Sequence, residues 1–322
     1  MTPAQEHNEL FFVCTTHNGD RFAVADSETY VQVWDWTNGL VGRFSTDYEH
    51  SLLSISEDGM FLVTANYTAD LITAHEIDTK KILWQRNDLE KCGPVIILNQ
   101  WDNRVFVKTE EQGEFFLDIN TGLTLARLKG YIDKKLLSDI HPEQRHLYRA
   151  EPTDFYYENP LANMDLLESY SSSCLLDRKK GKSIKALSKT TFRILDVAFS
   201  QDNIFCAYAT NPLEAISTKT FKKIWATHVT GHFLRIEYSP ELDKVLGIRW
   251  DGENGGPKYL NYINVETGVV EKEIILGNVI DTDFLKQGRF LVTTKGQLYS
   301  TLTGQQVKQF DFMKHLNEDY PP

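Results

Sequence analysis

Residues 52–85 read LLSISEDGMFLVTANYTADLITAHEIDTKKILWQ. Four runs, LLSIS, MFLVTAN, LITAHEI and KILWQ, alternate there with the polar breaks SEDG, YTAD and DTK. Each run is rich in β-branched or aromatic residues and too short for a helix, so the stretch predicts four strands joined by tight turns. In order along the chain these strands are a, b, c and d.

The same double beat continues on both sides. The a-b turns are HNGD (17–20), SEDG (56–59), QWDN (100–103), HPEQ (141–144), SQDN (200–203), SPELD (239–243) and LKQG (285–288). The c-d turns are TNG (37–39), DTK (78–80), NTG (120–122), KKGK (179–182), TKT (218–220), ETG (266–268) and LTG (302–304). A period of roughly 40–45 residues built from short strands is the pattern of a β-propeller. The expected fold is all-β: a single seven-bladed propeller of four-stranded antiparallel blades, forming one domain over residues 1–322. The blades fall at 10–45, 51–86, 95–128, 136–188, 194–228, 233–276 and 279–312, with a tail at 313–322. Blade four is expected to use KLLSDI and RHLYRA as strands a and b, and SSSCLLD and SIKALS as c and d. Two ways of closing the ring stay open: apolar packing between blades one and seven, or an added edge strand from residues 1–9 or 313–322.

The segments VQVWDWTNG (31–39), FFLDINTG (115–122) and LDVAFSQD (195–202) resemble WD40-like propeller repeats. Gly231-His232 stands where that family carries a Gly-His dipeptide, and Trp34-Asp35 closes strand c as its Trp-Asp pair does. The chain is most similar to divergent bacterial propellers of the WD40-like or quinoprotein-like kind. The resemblance implies an architecture, and propellers host many unrelated activities.

Composition narrows the function classes. No apolar run approaches the roughly 20 residues of a membrane-spanning helix, and MTPAQEHNEL lacks the basic-then-apolar order of an export signal. Cys14, Cys92, Cys174 and Cys206 lie in different repeats without a CxxC pair, which fits a reducing cytoplasm. The net charge of -11 argues against nucleic-acid or anionic-membrane binding and suits a basic partner.

In a meandering blade the b-c loops emerge at one end and the a-b and c-d turns at the other. The b-c loops hold most of the acids and the c-d turns most of the lysines. Two b-c loops are expected to be long: EPTDFYYENPLANMDLLESY (151–170), with a short helix near 161–168 as one reading, and DGENGGP (251–257). Acids around aromatic anchors suit a protein contact. The candidate partner-binding residues are therefore Glu151, Asp154, Phe155, Tyr156, Tyr157, Glu158, Asp165 and Glu168, with Trp250, Asp251 and Glu253. Strand a, expected innermost, carries the channel candidates Asp196, Arg235, Glu237, Asp281 and Asp283, with Asp139 in blade four. Such acids could hold a divalent cation, or pair with Arg235, with strand-b hydroxyls or with backbone amides at blade junctions. No catalytic triad, metal-ligand spacing or cofactor motif stands out.

The expected function is a non-enzymatic cytoplasmic protein-binding propeller, monomeric outside its complex. Its specific form is an immunity or neutralising protein whose acidic b-c rim binds a basic toxin or effector domain, without a cofactor. Two alternatives stay open: a metal-dependent lactonase-like hydrolase with its site in the central channel, and a general assembly scaffold.

Overall fold

The computed structural model describes residues 10–312 except 17–18, 27–29, 47–51, 67–69, 90–91, 99–103, 110–112, 129–154, 158–163, 170–171, 178–181, 189–193, 210–212, 228 and 252–255. Among the described residues every regular element is a strand, so none is a helix able to cross a membrane. The chain divides into two compact units. One comprises Met1–Ile97, Ile119–Gly122 and Val279–Pro322; the other comprises Leu98–Asp118 and Leu123–Asn278.

The strands form four-stranded antiparallel meanders, each in simple sequence order. The first sheet is β1 (Leu10–Thr15), β2 (Arg21–Asp26), β3 (Tyr30–Asp35) and β4 (Gly39–Ser45), and the second is β5 (Leu52–Ile55), β6 (Phe61–Asn66), β7 (Leu71–Glu76) and β8 (Lys81–Arg86). The third is β9 (Cys92–Leu98), β10 (Arg104–Thr109), β11 (Gly113–Leu117) and β12 (Thr124–Leu128). The fourth is β13 (Phe155–Tyr157), β14 (Met164–Ser169), β15 (Ser172–Asp177) and β16 (Lys182–Ser188), and the fifth is β17 (Ile194–Phe199), β18 (Asn203–Tyr208), β19 (Leu213–Ser217) and β20 (Lys223–Ala226). Then follow β21 (His232–Ser239), β22 (Lys244–Trp250), β23 (Lys258–Asn264) and β24 (Val270–Gly277), and finally β25 (Thr282–Leu285), β26 (Phe290–Thr293), β27 (Gln297–Ser300) and β28 (Gln305–Gln309).

The second strand of a sheet is buried on both faces, which is why it reads as an unbroken apolar run. In β2, Phe22 and Val24 pack with Val292, Leu298, Phe310 and Phe312 of the last sheet and the segment after it. The alternate residues Ala23 and Ala25 face Ile55, Leu62 and Ile77 of the second sheet. The fifth sheet behaves likewise in the other unit. Phe205 and Ala207 face Phe233, Val245 and Ile263, whereas Ile204, Cys206 and Tyr208 join Leu166 and Leu175 of the fourth sheet. First strands lie side by side: β1 beside β5 and β25 in one unit, and β17 beside β21 in the other. The first and last sheets thus meet by apolar packing, while residues 1–9 and 313–322, the source of the added edge strand in the other expected closure, lie outside the described residues.

The fourth sheet corrects the expected strand order. The described residues of 151–170 do not form a long b-c loop, and those among 161–168 are strand rather than helix. Phe155–Tyr157 and Met164–Ser169 are instead the first two strands, paired Phe155↔Glu168, Tyr156↔Leu167 and Tyr157↔Leu166. The strands expected in KLLSDI and RHLYRA, together with Asp139, lie outside the described residues. HPEQ (141–144) also lies outside the described residues, and in the sequence β13 and β14 are separated by the Asn-Pro and Asn of ENPLAN, 158–163.

The c-d turns share one left-handed position: Gly39, Lys80, Gly122, Phe221, Gly268 and Gly304 have φ of 98°, 57°, 68°, 55°, 72° and 75°. In TKT (218–220) that position is the following Phe221. Side chains at strand ends brace these turns as Asx-type caps. Asp35 Oδ1 accepts from Thr37 N (2.9 Å) and Asn38 N (2.8 Å), and Asn264 Oδ1 from Glu266 N (2.9 Å) and Thr267 N (3.0 Å).

The same turns are fastened to the sheet before them. Trp84 Nε1 in β8 donates to Ile119 O at 2.7 Å, and Trp225 Nε1 in β20 to Val265 O at 2.7 Å. Lys308 Nζ in β28 donates to Trp36 O at 2.6 Å. Each donor stands four residues after the left-handed residue of its own turn, and each acceptor three residues before the glycine of the turn it grips. At the junction of last and first sheets an ammonium thus takes the place of an indole.

Candidate functional site

Strand a supplies the acids that a channel site would need, and the structure gives them another task. Asp196 Oδ2 in β17 accepts the backbone N–H of Ile236 in β21 at 2.7 Å. Asp281 Oδ2, next to β25, accepts Val13 N at 3.2 Å. Asp283 Oδ2 in β25 accepts Thr15 N at 2.9 Å and Thr15 Oγ1 at 3.1 Å, while its Oδ1 takes Phe284 N at 3.0 Å. Adjacent first strands do not share a sheet ladder, so their facing amides need other acceptors. The carboxylates supply them, and bonds to a charged acceptor are stronger than neutral ones. Glu237 Oε1 accepts Tyr238 N at 3.0 Å, and Arg235 is half-buried in β21. Asp281 and Asp283 share one unit, and Asp196, Arg235 and Glu237 the other. Among the described residues no three His, Cys, Asp or Glu side chains gather as a metal site.

Of the candidate partner-binding residues, Phe155, Tyr156 and Tyr157 lie in β13, and Asp165 and Glu168 in β14. The placement of Asp165 and Glu168 on a protruding loop is therefore corrected: both belong to an interior strand paired on each side. Glu168, for instance, pairs with Phe155 and Ser173. Glu151, Asp154, Glu158 and Glu253 lie outside the described residues.

Trp250 ends β22, half-buried, and Asp251 follows it on the surface. Beside Trp250 in β22 stands Arg249, 6% exposed, which no motif of the sequence marks. Its Nη1 pairs with Asp251 and donates to Thr230 O at 2.8 Å, and its Nη2 pairs with Glu273 Oε2 at 2.7 Å. The guanidinium lies over the Tyr259 ring, 4.6 Å from its centre. A cation this buried needs opposite charge and hydrogen bonds around it, so Asp251 serves as a counter-ion from the surface. Gly231 is required beside it, because a Cβ there would stand 2.4 Å from Trp250 O. The Gly-His dipeptide at this point therefore answers a close backbone approach. The one local signal for Arg249 was a charge set among the apolar residues of KVLGIRW.

No protein-family model matches the chain, and no curated protein matches it. Among solved structures it is similar to the computationally designed Ika8 protein, with a TM-score of 0.59 and 11% identity over 88% of this chain and 80% of that one. At that identity the likeness concerns the fold alone. Together with the four-stranded meanders it defines a β-propeller-like, all-β protein.

Proposed function

We propose that the four-stranded sheets are the seven blades of one propeller domain spanning residues 1–322, and that this propeller is a non-enzymatic protein-binding module acting in the cytoplasm. In its specific form it is an immunity or neutralising protein for a basic toxin or effector domain, monomeric until it meets that partner. The observation that carries the binding reading is the use made of the inner-strand acids. Asp196, Asp281 and Asp283 each accept a neighbouring backbone amide, so they serve the scaffold, which leaves the connections between strands as the place for a contact. A net charge of -11 favours a basic partner and fast, electrostatically steered association.

The altered strand order of the fourth sheet divides the test in two. Glu151, Asp154 and Glu158 flank or separate strands, and Asp165 and Glu168 lie within one. Affinity capture from the native host, followed by binding kinetics at low and high salt, identifies and grades the partner. Joint charge reversal of Glu151, Asp154 and Glu158 is expected to slow association and to flatten its salt dependence. Undiminished binding of the same partner by a variant reversed at all five positions would reject this face.

A further inference from the structure

Sheets β1–β4 and β25–β28 meet without exchanging a strand: each is a meander of consecutive strands. Besides side chains of the last sheet itself, the contact includes the segment just beyond β28. Phe310 N donates to Gly296 O at 2.8 Å, in the turn between β26 and β27, so the segment leaves the last sheet in a fixed direction. The side chains of Phe310 and Phe312 then enter the face of the first sheet. Phe310 lies 5.1 Å from Phe22 and 5.4 Å from Trp34, and Phe312 lies 5.3 Å from Trp34, ring centre to ring centre. Both are almost fully buried.

The first sheet carries a matching polar receptor. Gln32, in the middle of β3, is 0% exposed, a costly site for an amide unless both its ends are bonded. Its Oε1 accepts Trp34 Nε1 at 3.0 Å, and its Nε2 donates to Phe312 O at 3.0 Å. The second bond exists only while the segment is docked. We infer that Phe310-Asp311-Phe312 is a clasp that controls opening of the junction between first and last sheets, with Gln32 as the group that reads its backbone. When the clasp leaves, the Gln32 amide and the Phe22 and Trp34 rings lose their partners together, and the Asp281 and Asp283 bonds to β1 lose their lateral support.

Residue-resolved hydrogen exchange by NMR on the full chain tests this. The amides of Val13 and Thr15 are expected to exchange through the same opening as that of Phe310, with matching rates and denaturant dependence. Phe312→Ala should accelerate exchange at Val13 and Thr15 by about tenfold or more and leave Phe205 and Leu246, in the other unit, unchanged. Phe312→Leu should restore most of the protection. Exchange of the Phe310 amide far ahead of Val13 and Thr15 in the unaltered protein would overturn the clasp, and so would Phe312→Ala with unchanged rates at those two amides. The comparison in the unaltered protein decides the matter even if Phe312→Ala does not fold.

Discussion

At the scale of single residues, two glycines separate backbone demand from packing demand. Gly122 and Gly268 have φ of 68° and 72°, and a Cβ at either would stand 2.6 Å or 2.5 Å from the rings of Trp84 and Trp225. Gly277 has φ of 78° with nothing within 4 Å of an added Cβ. Alanine at Gly277 should cost about 1 kcal/mol from backbone strain. At Gly122 or Gly268 it should cost at least about 2–3 kcal/mol, because the indole must also move; denaturant unfolding of the three variants measures the difference. Tyr262 offers a second local test. Burial pushes its phenol up to about 12. The folded pKa exceeds the ordinary value of 10.0, so the stability it contributes is complete below pH 10 and is lost as pH rises toward 12. Ultraviolet difference titration should show a late-ionising tyrosine that Tyr262→Phe removes. The turn glycines were legible in sequence, because a left-handed turn position leaves a compositional mark. Arg249 left almost none, since its counter-ions Asp251 and Glu273 come from a following loop and a distant strand.

At the scale of elements, strands were easiest to read where both faces are buried, as in RFAVAD and NIFCAY. The fourth sheet shows the limit of that approach. Two turn-like breaks, HPEQ and ENPLAN, compete there, and single-sequence patterning has no means of weighing partners that pair across them. The role of the inner-strand acids was also undecided by sequence alone, because a carboxylate facing a cation and one facing an amide have the same neighbours along the chain. Substitution can grade the fastenings between sheets. Trp84→Phe and Trp225→Phe keep most of the ring but leave Ile119 O or Val265 O without its indole donor, an expected loss of about 1–2 kcal/mol each. Asp196→Ala strands the N–H of Ile236 between β17 and β21 and should cost about 1–3 kcal/mol. Chemical denaturation checks all three, with β21 exchange rates as the local readout for Asp196→Ala.

For the molecule as a whole, several surface carboxylates set the direction of the acid response. Asp88 is held below its ordinary value of 3.8 chiefly by the hydrogen bond from Arg86. Glu271 lies below 4.5 through hydrogen bonds from Asn264 and Lys244. At Asp35 burial works upward, but the bonds from Thr37 and Asn38 outweigh it and the pKa is lowered. Groups whose folded pKa is depressed stabilise the fold above the unfolded value and cease to do so as pH falls through the folded one. The melting temperature should therefore stay level down to about pH 5 and decline below about pH 4. A melting temperature that rises below pH 4 would contradict it.

The clasp also has a meaning in time. Phe22 and Trp34 precede Phe310 and Phe312, which cover them, by roughly 280 residues of chain. At about 5–20 residues per second, synthesis leaves that aromatic face without its cover for on the order of 15–55 s. Through that interval the first sheet is a sticky intermediate, and a chaperone that shields aromatic surface, or slow growth at low temperature, should raise the yield of folded protein more than any change at the acidic loops.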